Sequence, residues 1–284
     1  MSARIETTAP AWQPFTTGGV AAFARARWGR LLAVEFLVAA LAAVSVVWFV
    51  ATAWVPVIAR AIERLPDQGA VRQGRLDWPQ ASPVALAGNP FLSIVVDVQG
   101  GNRLGQTADV QWTFSGRGLR GCSLFGCLRV PYPAFGRIPF NRLELDPWWG
   151  AWRPVLLALL SVGTVLALVL TWTVLGLVYA VPVRGMAFLL DRQVARGGCW
   201  RLAVAGQMPG AILLTVAILL YGLQHLNAAG LVLLFALHLV PGWLYALLAT
   251  LRLPRLAPTN ASPTNPFARP GGESGPSADP GREV

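Results

Sequence analysis

The sequence predicts a membrane α-helical fold: four transmembrane helices, with a small β-rich extracytoplasmic domain inserted between helices 1 and 2. Three observations carry that expectation. The chain of 284 residues is 55% hydrophobic and 13% charged, about half the charge of a soluble domain. Four apolar runs approach or exceed the ~20 residues that cross a hydrocarbon core. Between the first and second runs the character changes: charged and turn residues return, with short β-branched or aromatic segments.

Residues 1–30 form a mixed segment that ends in Arg25, Arg27 and Arg30. The run "LLAVEFLVAALAAVSVVWFVATAW", 31–54, is the first span. Ala51-Thr52-Ala53 looks like a signal-peptidase site, but the run exceeds the ~7–15 residues of a signal h-region. A retained helix is therefore expected. Residues 55–152 make the inserted domain. It opens with a short helix at 57–65, whose Val57, Ile58, Ala61, Ile62 and Leu65 share one face. The runs "FLSIVVDVQG", "ADVQWTF", "LFGCLRVPY" and "IPFNRLELD" then read as strands.

The second span covers 153–181, with Pro154 suited to a first helical turn and Trp148, Trp149 and Trp152 as an interfacial belt. A basic loop, 182–208, follows. In it "RGMAFLLDRQVARGG" predicts a short amphipathic helix, with Met186, Phe188, Leu189, Leu190 and Val194 toward lipid and Arg184, Arg192 and Arg196 toward headgroups. Gly197-Gly198 is expected to end it. Spans three and four, 209–226 and 229–251, form a hairpin around Asn227-Ala228-Ala229. The tail 252–284, rich in Pro, Gly, Ser and Asn, predicts disorder.

All 23 basic residues are Arg, and the net charge is +10. No zinc finger, RNP motif or basic helix accompanies that charge, so nucleic acid is not an expected partner. The arginines concentrate instead in short loops: Arg25, Arg27 and Arg30 before span one, Arg184, Arg192, Arg196 and Arg201 between spans two and three, Arg252 and Arg255 after span four. The hairpin between spans three and four has no charge. That bias predicts both termini in the cytoplasm and 55–152 outside. The lipid bilayer is the expected partner, with a membrane protein or a second copy of the chain as a further candidate.

The candidate residues follow from this sidedness. Cys122 and Cys127, in "GCSLFGC", fall on the oxidising side and are disulfide candidates, with free thiols as the alternative. Cys199 is a cytoplasmic packed thiol. Glu35 and His238 lie inside spans one and four and are intramembrane polar candidates. At ~1.5 Å per residue, about 10 Å of depth separates them, so Glu35 is expected to meet Arg27, Arg30 or Arg201. His238 is expected to bond a neighbouring helix. Trp200 and Arg201 are expected to anchor the third helix at headgroup depth. Pro209 lies within its entry turns or else breaks it beside a cavity, and Pro241 follows His238 by one turn. "GQMPG" matches the close-packing pattern G-x-x-x-G, although Pro209 interrupts it.

Three segments carry a resemblance. "CWRLAVAGQMPGAILL", "LPDQGAVRQGRLDWP" and "LSIVVDVQG" are similar to motifs of a bacterial membrane family, domain of unknown function 1189, and more loosely to the Yip-type membrane proteins. The layout is shared over about 15–250. The Cys pair at 122–127 and the Pro-rich tail depart from the pattern. The resemblance implies a multi-span protein of the bacterial inner membrane with an extracytoplasmic insert. It hands over no catalytic residue and no cofactor.

Catalytic signatures are missing: the sequence has no H-E-x-x-H, no G-x-S-x-G and no phosphate-binding loop, and only two His. The leading expectation is thus a non-enzymatic scaffold or sensor with an extracytoplasmic binding domain. The alternative is a small transporter or channel component that uses a helix break at Pro209 or Pro241. An enzyme would have to use carboxylates such as Asp97 or Glu144, and would need them to converge.

Overall fold

The computed structural model describes residues 12–101 and 105–255. Four helical stretches are long and apolar enough to cross a membrane: Trp28–Glu63, Arg142–Leu189, Arg196–Gly222 and Ala228–Thr250. A β-rich region lies between the first two. The expected tail falls almost wholly outside the described residues, as does the start of the N-terminal segment.

The first stretch joins α2 (Trp28–Phe49), a π-turn at Val50–Trp54 and α3 (Val55–Glu63) into one continuous rod. Thus α3 is a prolongation of the span and not a separate short helix. Pro56 cannot donate to the residue four back, and the π-turn just before it absorbs the lost bond. Thirty-six residues extend about 54 Å, against a hydrocarbon core of ~30 Å. The rod is therefore longer than a span requires, and its last part buries Val57, Ala61 and Ile62 against the β domain.

The second stretch is also longer than the sequence suggested. α4 runs from Arg142 to Leu189, 48 residues, so 142–152 is helix and not domain, and 182–189 is the same helix and not a loop. Its start is set by Asn141 as N-cap. Asn141 Oδ1 accepts from the Glu144 amide at 3.0 Å, and Asn141 Nδ2 donates to Glu144 Oε1 at 3.1 Å. Pro154 consequently sits in the interior, with Pro147 and Pro182. The helix stops at Leu190 and Asp191, and Arg192 then donates to the Leu253 carbonyl at 2.6 Å. That bond ties the turn to the chain leaving the fourth span.

α5 starts at Arg196, not near 209, and continues unbroken to Gly222. Gly197 and Gly198 open this helix instead of closing the previous one. Gly198 fits because a β-carbon there would come within 2.8 Å of the Ala24 carbonyl oxygen. The most apolar stretch of α5 is 61% buried, against 6% for α4 and 11% for the fourth stretch, so α5 is the helix around which the others pack. The fourth stretch is α6 (Ala228–Leu237) followed by α7 (Leu239–Thr250). Asn227 caps α6 by accepting from the Gly230 amide at 2.8 Å.

The N-terminal segment is not a loose leader. α1 (Thr17–Phe23) is capped by Thr16 and docks on α5 and α7, with Val20 and Phe23 fully buried.

The β domain holds two sheets. A three-stranded sheet has the order β2-β1-β8 (Arg75–Asp77, Ala70–Arg72, Arg137–Pro139). A five-stranded sheet has the order β3-β4-β5-β6-β7 (Val84–Gly88, Leu92–Asp97, Val110–Ser115, Gly118–Ser123, Gly126–Pro131). β4 and β5 are parallel, and the other neighbours are antiparallel. β4 is buried along its whole length, which explains its nearly unbroken apolar run.

Candidate functional site

The helix bundle reaches the β domain at two seams. At the first, the turn after β3 sits on the ends of α2 and α5. Asn89 Nδ2 donates to the Ala53 carbonyl at 2.6 Å, and Phe91 packs edge-on to Phe49 and Tyr221. The Tyr221 hydroxyl donates to Asp109 Oδ2 at 2.7 Å. One aromatic cluster and two hydrogen bonds thus fix the sheet to the end of the central helix.

At the second seam α3, the sheet face and the first turns of α4 leave an apolar cavity of about 120 Å³. Ile58, Ala61, Ile62 and Leu65 line it from α3, Leu86, Ile94, Trp112 and Phe114 from the sheet, and Phe140 and Leu145 from the start of α4. All ten are apolar. The cavity is partly open to the surface, and its volume matches a single small apolar group. Two polar atoms in the same core have no partner: Trp54 Nε1 and the Tyr132 hydroxyl. Burial pushes the Tyr132 hydroxyl well above its ordinary pKa, so it remains a proton donor. The sequence analysis missed this cavity, since its lining comes from residues 58 to 145 and no local pattern joins them.

The sequence-predicted residues fall elsewhere. Cys122 and Cys127 face each other across β6 and β7 and are joined in a disulfide. Both Cys122→Ser and Cys127→Ser are expected to lower domain stability by about 2 kcal/mol, less than for a long loop because the bridge closes only a short one. Non-reducing peptide mapping checks the pairing: the two thiols should alkylate only after reduction. Cys199 is free and buried in α5.

Glu35 is 1% exposed, and neither carboxyl oxygen has a hydrogen-bond partner. None of the expected Arg27, Arg30 and Arg201 bonds it, and two of them are engaged elsewhere. Arg201 Nη2 donates to the Ala24 carbonyl at 2.9 Å and its guanidinium stacks over Trp28, while Arg30 lies over Trp12. Trp200 Nε1 donates to the Thr173 carbonyl of α4 at 3.2 Å, and its ring stacks on Trp28. Trp200 and Arg201 thus tie α5 to α4 and to the chain after α1.

Pro209 is the fourteenth residue of α5, in its interior and not its entry turns. Residues 206–210 stay helical and lie against the fourth stretch. The Gly206 α-carbon is packed on Ala246, Gly210 on the His238 carbonyl, and Gly242 on Gln207. This is the close approach that the G-x-x-x-G pattern implied. His238 bonds within its own helix, Nδ1 to the Phe235 carbonyl, and not to a neighbour. It marks the joint between α6 and α7, three residues before Pro241, whose missing N–H and bulky ring interrupt the ladder there.

Asp97 and Glu144 do not make an acid–base pair. Asp97 Oδ1 accepts from the Gly100 amide at 3.0 Å in a turn. Glu144 Oε1 accepts from Asn141 Nδ2 at the start of α4 and pairs with Arg137 at 2.7 Å. No group of three His, Cys, Asp or Glu suited to a metal occurs among the described residues. No family model matches the chain, and neither a curated protein nor a solved structure matches it.

Proposed function

We propose that the chain is a non-enzymatic scaffold or sensor of a bacterial inner membrane, with an extracytoplasmic domain that binds a small apolar group. The resemblance to domain of unknown function 1189 is part of this proposal. The observation that carries it is the cavity of about 120 Å³ between α3, the sheet and α4. Two of its three walls are helices that run without interruption into the candidate spans. Filling the cavity acts on the separation of α3 and α4, and both are stiff over their length. Occupancy outside is thereby coupled to the spacing of two helices inside the bilayer.

A diazirine-bearing fatty acid, added to the full chain in proteoliposomes, tests the binding. Adducts on 58–65 and 112–114 are expected. Adducts confined to the lipid-facing surface of α4 would overturn it. Sidedness has its own test. Gln80→Cys in right-side-out cells is expected to react with an impermeant maleimide, and Arg252→Cys only after lysis. The reverse pattern would place the domain in the cytoplasm.

A second reading, a small transporter or channel component, has Glu35 in its favour. A buried carboxyl without a hydrogen-bond partner in a span is costly, and a working role would explain why it is kept. α5 is unbroken across Pro209, so the helix break that this reading needs would have to be the joint between α6 and α7 at His238 and Pro241.

A further inference from the structure

The tip of the β6–β7 hairpin breaks the usual chemistry of turns. Turn positions favour Gly, Asn, Asp and Ser, yet this tip is Leu124-Phe125, and the two are 58% and 81% exposed. Gly126, at φ +107, allows the chain to reverse there. Leu128, the next residue but one along β7, is 71% exposed. The disulfide between Cys122 and Cys127 staples the hairpin directly behind the tip.

Strand register fixes the level of this tip. Gln111 of β5 lies opposite Cys122, and Cys122 lies opposite Cys127. Two residues further down, Leu124 comes level with Asp109. Asp109 is held by Tyr221 in the last turn of α5. The tip therefore lies level with Asp109, which the last turn of α5 holds, and one to two strand spacings, about 5–10 Å, to the side. Leu124 and Phe125 are not covered by any described residue at this level.

We propose that Leu124, Phe125 and Leu128 insert into the headgroup–acyl boundary of the leaflet that the β domain faces. Lipid fits better than a second chain. β7 carries Arg129 and Pro131, which discourage strand addition at an edge. Arg129 lies opposite Arg120, two register pairs above the disulfide and so about 7 Å further from the apolar layer, where phosphates sit. An apolar tip below and guanidinium above is the order that a phospholipid interface presents.

The inference rests on reading the four helices as spans, and one experiment separates the two. The photo-reactive amino acid p-benzoylphenylalanine replaces Phe125, Phe135 or Val162, one at a time, in the full chain in phospholipid vesicles. Val162 is exposed in the middle of α4, and Phe135 is exposed between β7 and β8, at the end of the sheet away from the bundle. Lipid adducts are expected at 125 and 162 and not at 135. Adducts at 162 alone, or a crosslink from 125 to a second copy or another protein, would overturn the insertion while leaving the spans intact. Absence at both 125 and 162 would remove the spans and the insertion with them.

Discussion

Gly210→Leu is expected to disrupt the packing of α5 on the fourth stretch. A β-carbon at 210 would approach the His238 carbonyl oxygen at 2.2 Å, and that oxygen belongs to a backbone that cannot turn aside. At 206 the nearest atoms, of Ala246, are 3.1–3.3 Å away, so a few tenths of an ångström suffice. The two glycines therefore separate. Replacing a helical Gly by Ala gains about 1 kcal/mol of helix propensity, while overpacking costs about 1–3 kcal/mol. Gly206→Ala should come out near neutral, Gly210→Ala should destabilise, and Gly210→Leu should cost about 3 kcal/mol or more. Cys199 supplies the readout. It is the free thiol among the described residues and is buried in α5, so its labelling on heating reports the opening of the bundle. Gly210→Leu should lower that midpoint by roughly 6–12 °C at about 2–4 °C per kcal/mol. Equal effects at 206 and 210 would mean that α5 and α7 do not meet as described.

Glu35→Met is expected to raise the same midpoint. A buried carboxyl with no partner carries a desolvation penalty of about 2 kcal/mol or more. Methionine keeps the length of the side chain and removes the penalty. Sites that trade stability for activity behave this way. A raised midpoint with unaltered cellular behaviour would leave Glu35 a tolerated defect. A raised midpoint with loss of the deletion-complementing activity would make it a working group and favour the transport reading. A lowered midpoint would mean that the carboxyl has a partner in the membrane after all.

How far the sequence reached depended on what each feature requires. The four apolar stretches and the β region were legible because burial in lipid needs long runs, and a β domain needs short ones. The helix ends were not, because hydropathy stops where the lipid does. α4 begins twelve residues before Pro154 because Asn141 caps it, a short signal that the strand-like "IPFNRLELD" obscured. The Gly206/Gly210 contact was legible as a pattern, and Pro209 gave no reason to break the helix. The bonding of Trp200 and Arg201 depends on where α1 and α4 lie, which no local window contains. The same holds for the cavity and for the level of the Leu124-Phe125 tip, which follow from strand order and register.

The most direct test of the binding role uses Ala61→Leu, which puts three more carbons into the cavity of about 120 Å³ from a buried wall position. Two quantities are measured on the full chain in proteoliposomes: labelling of 112–114 by the photo-reactive fatty acid, and the thermal midpoint with and without that probe. The account predicts that the unaltered chain is labelled and stabilised by the probe. Ala61→Leu should have a midpoint at or above that of the unaltered chain without probe, and should lose both the labelling and the probe-dependent shift. Undiminished labelling and an undiminished shift in Ala61→Leu would contradict it, because the apolar group would then bind somewhere other than between α3, the sheet and α4.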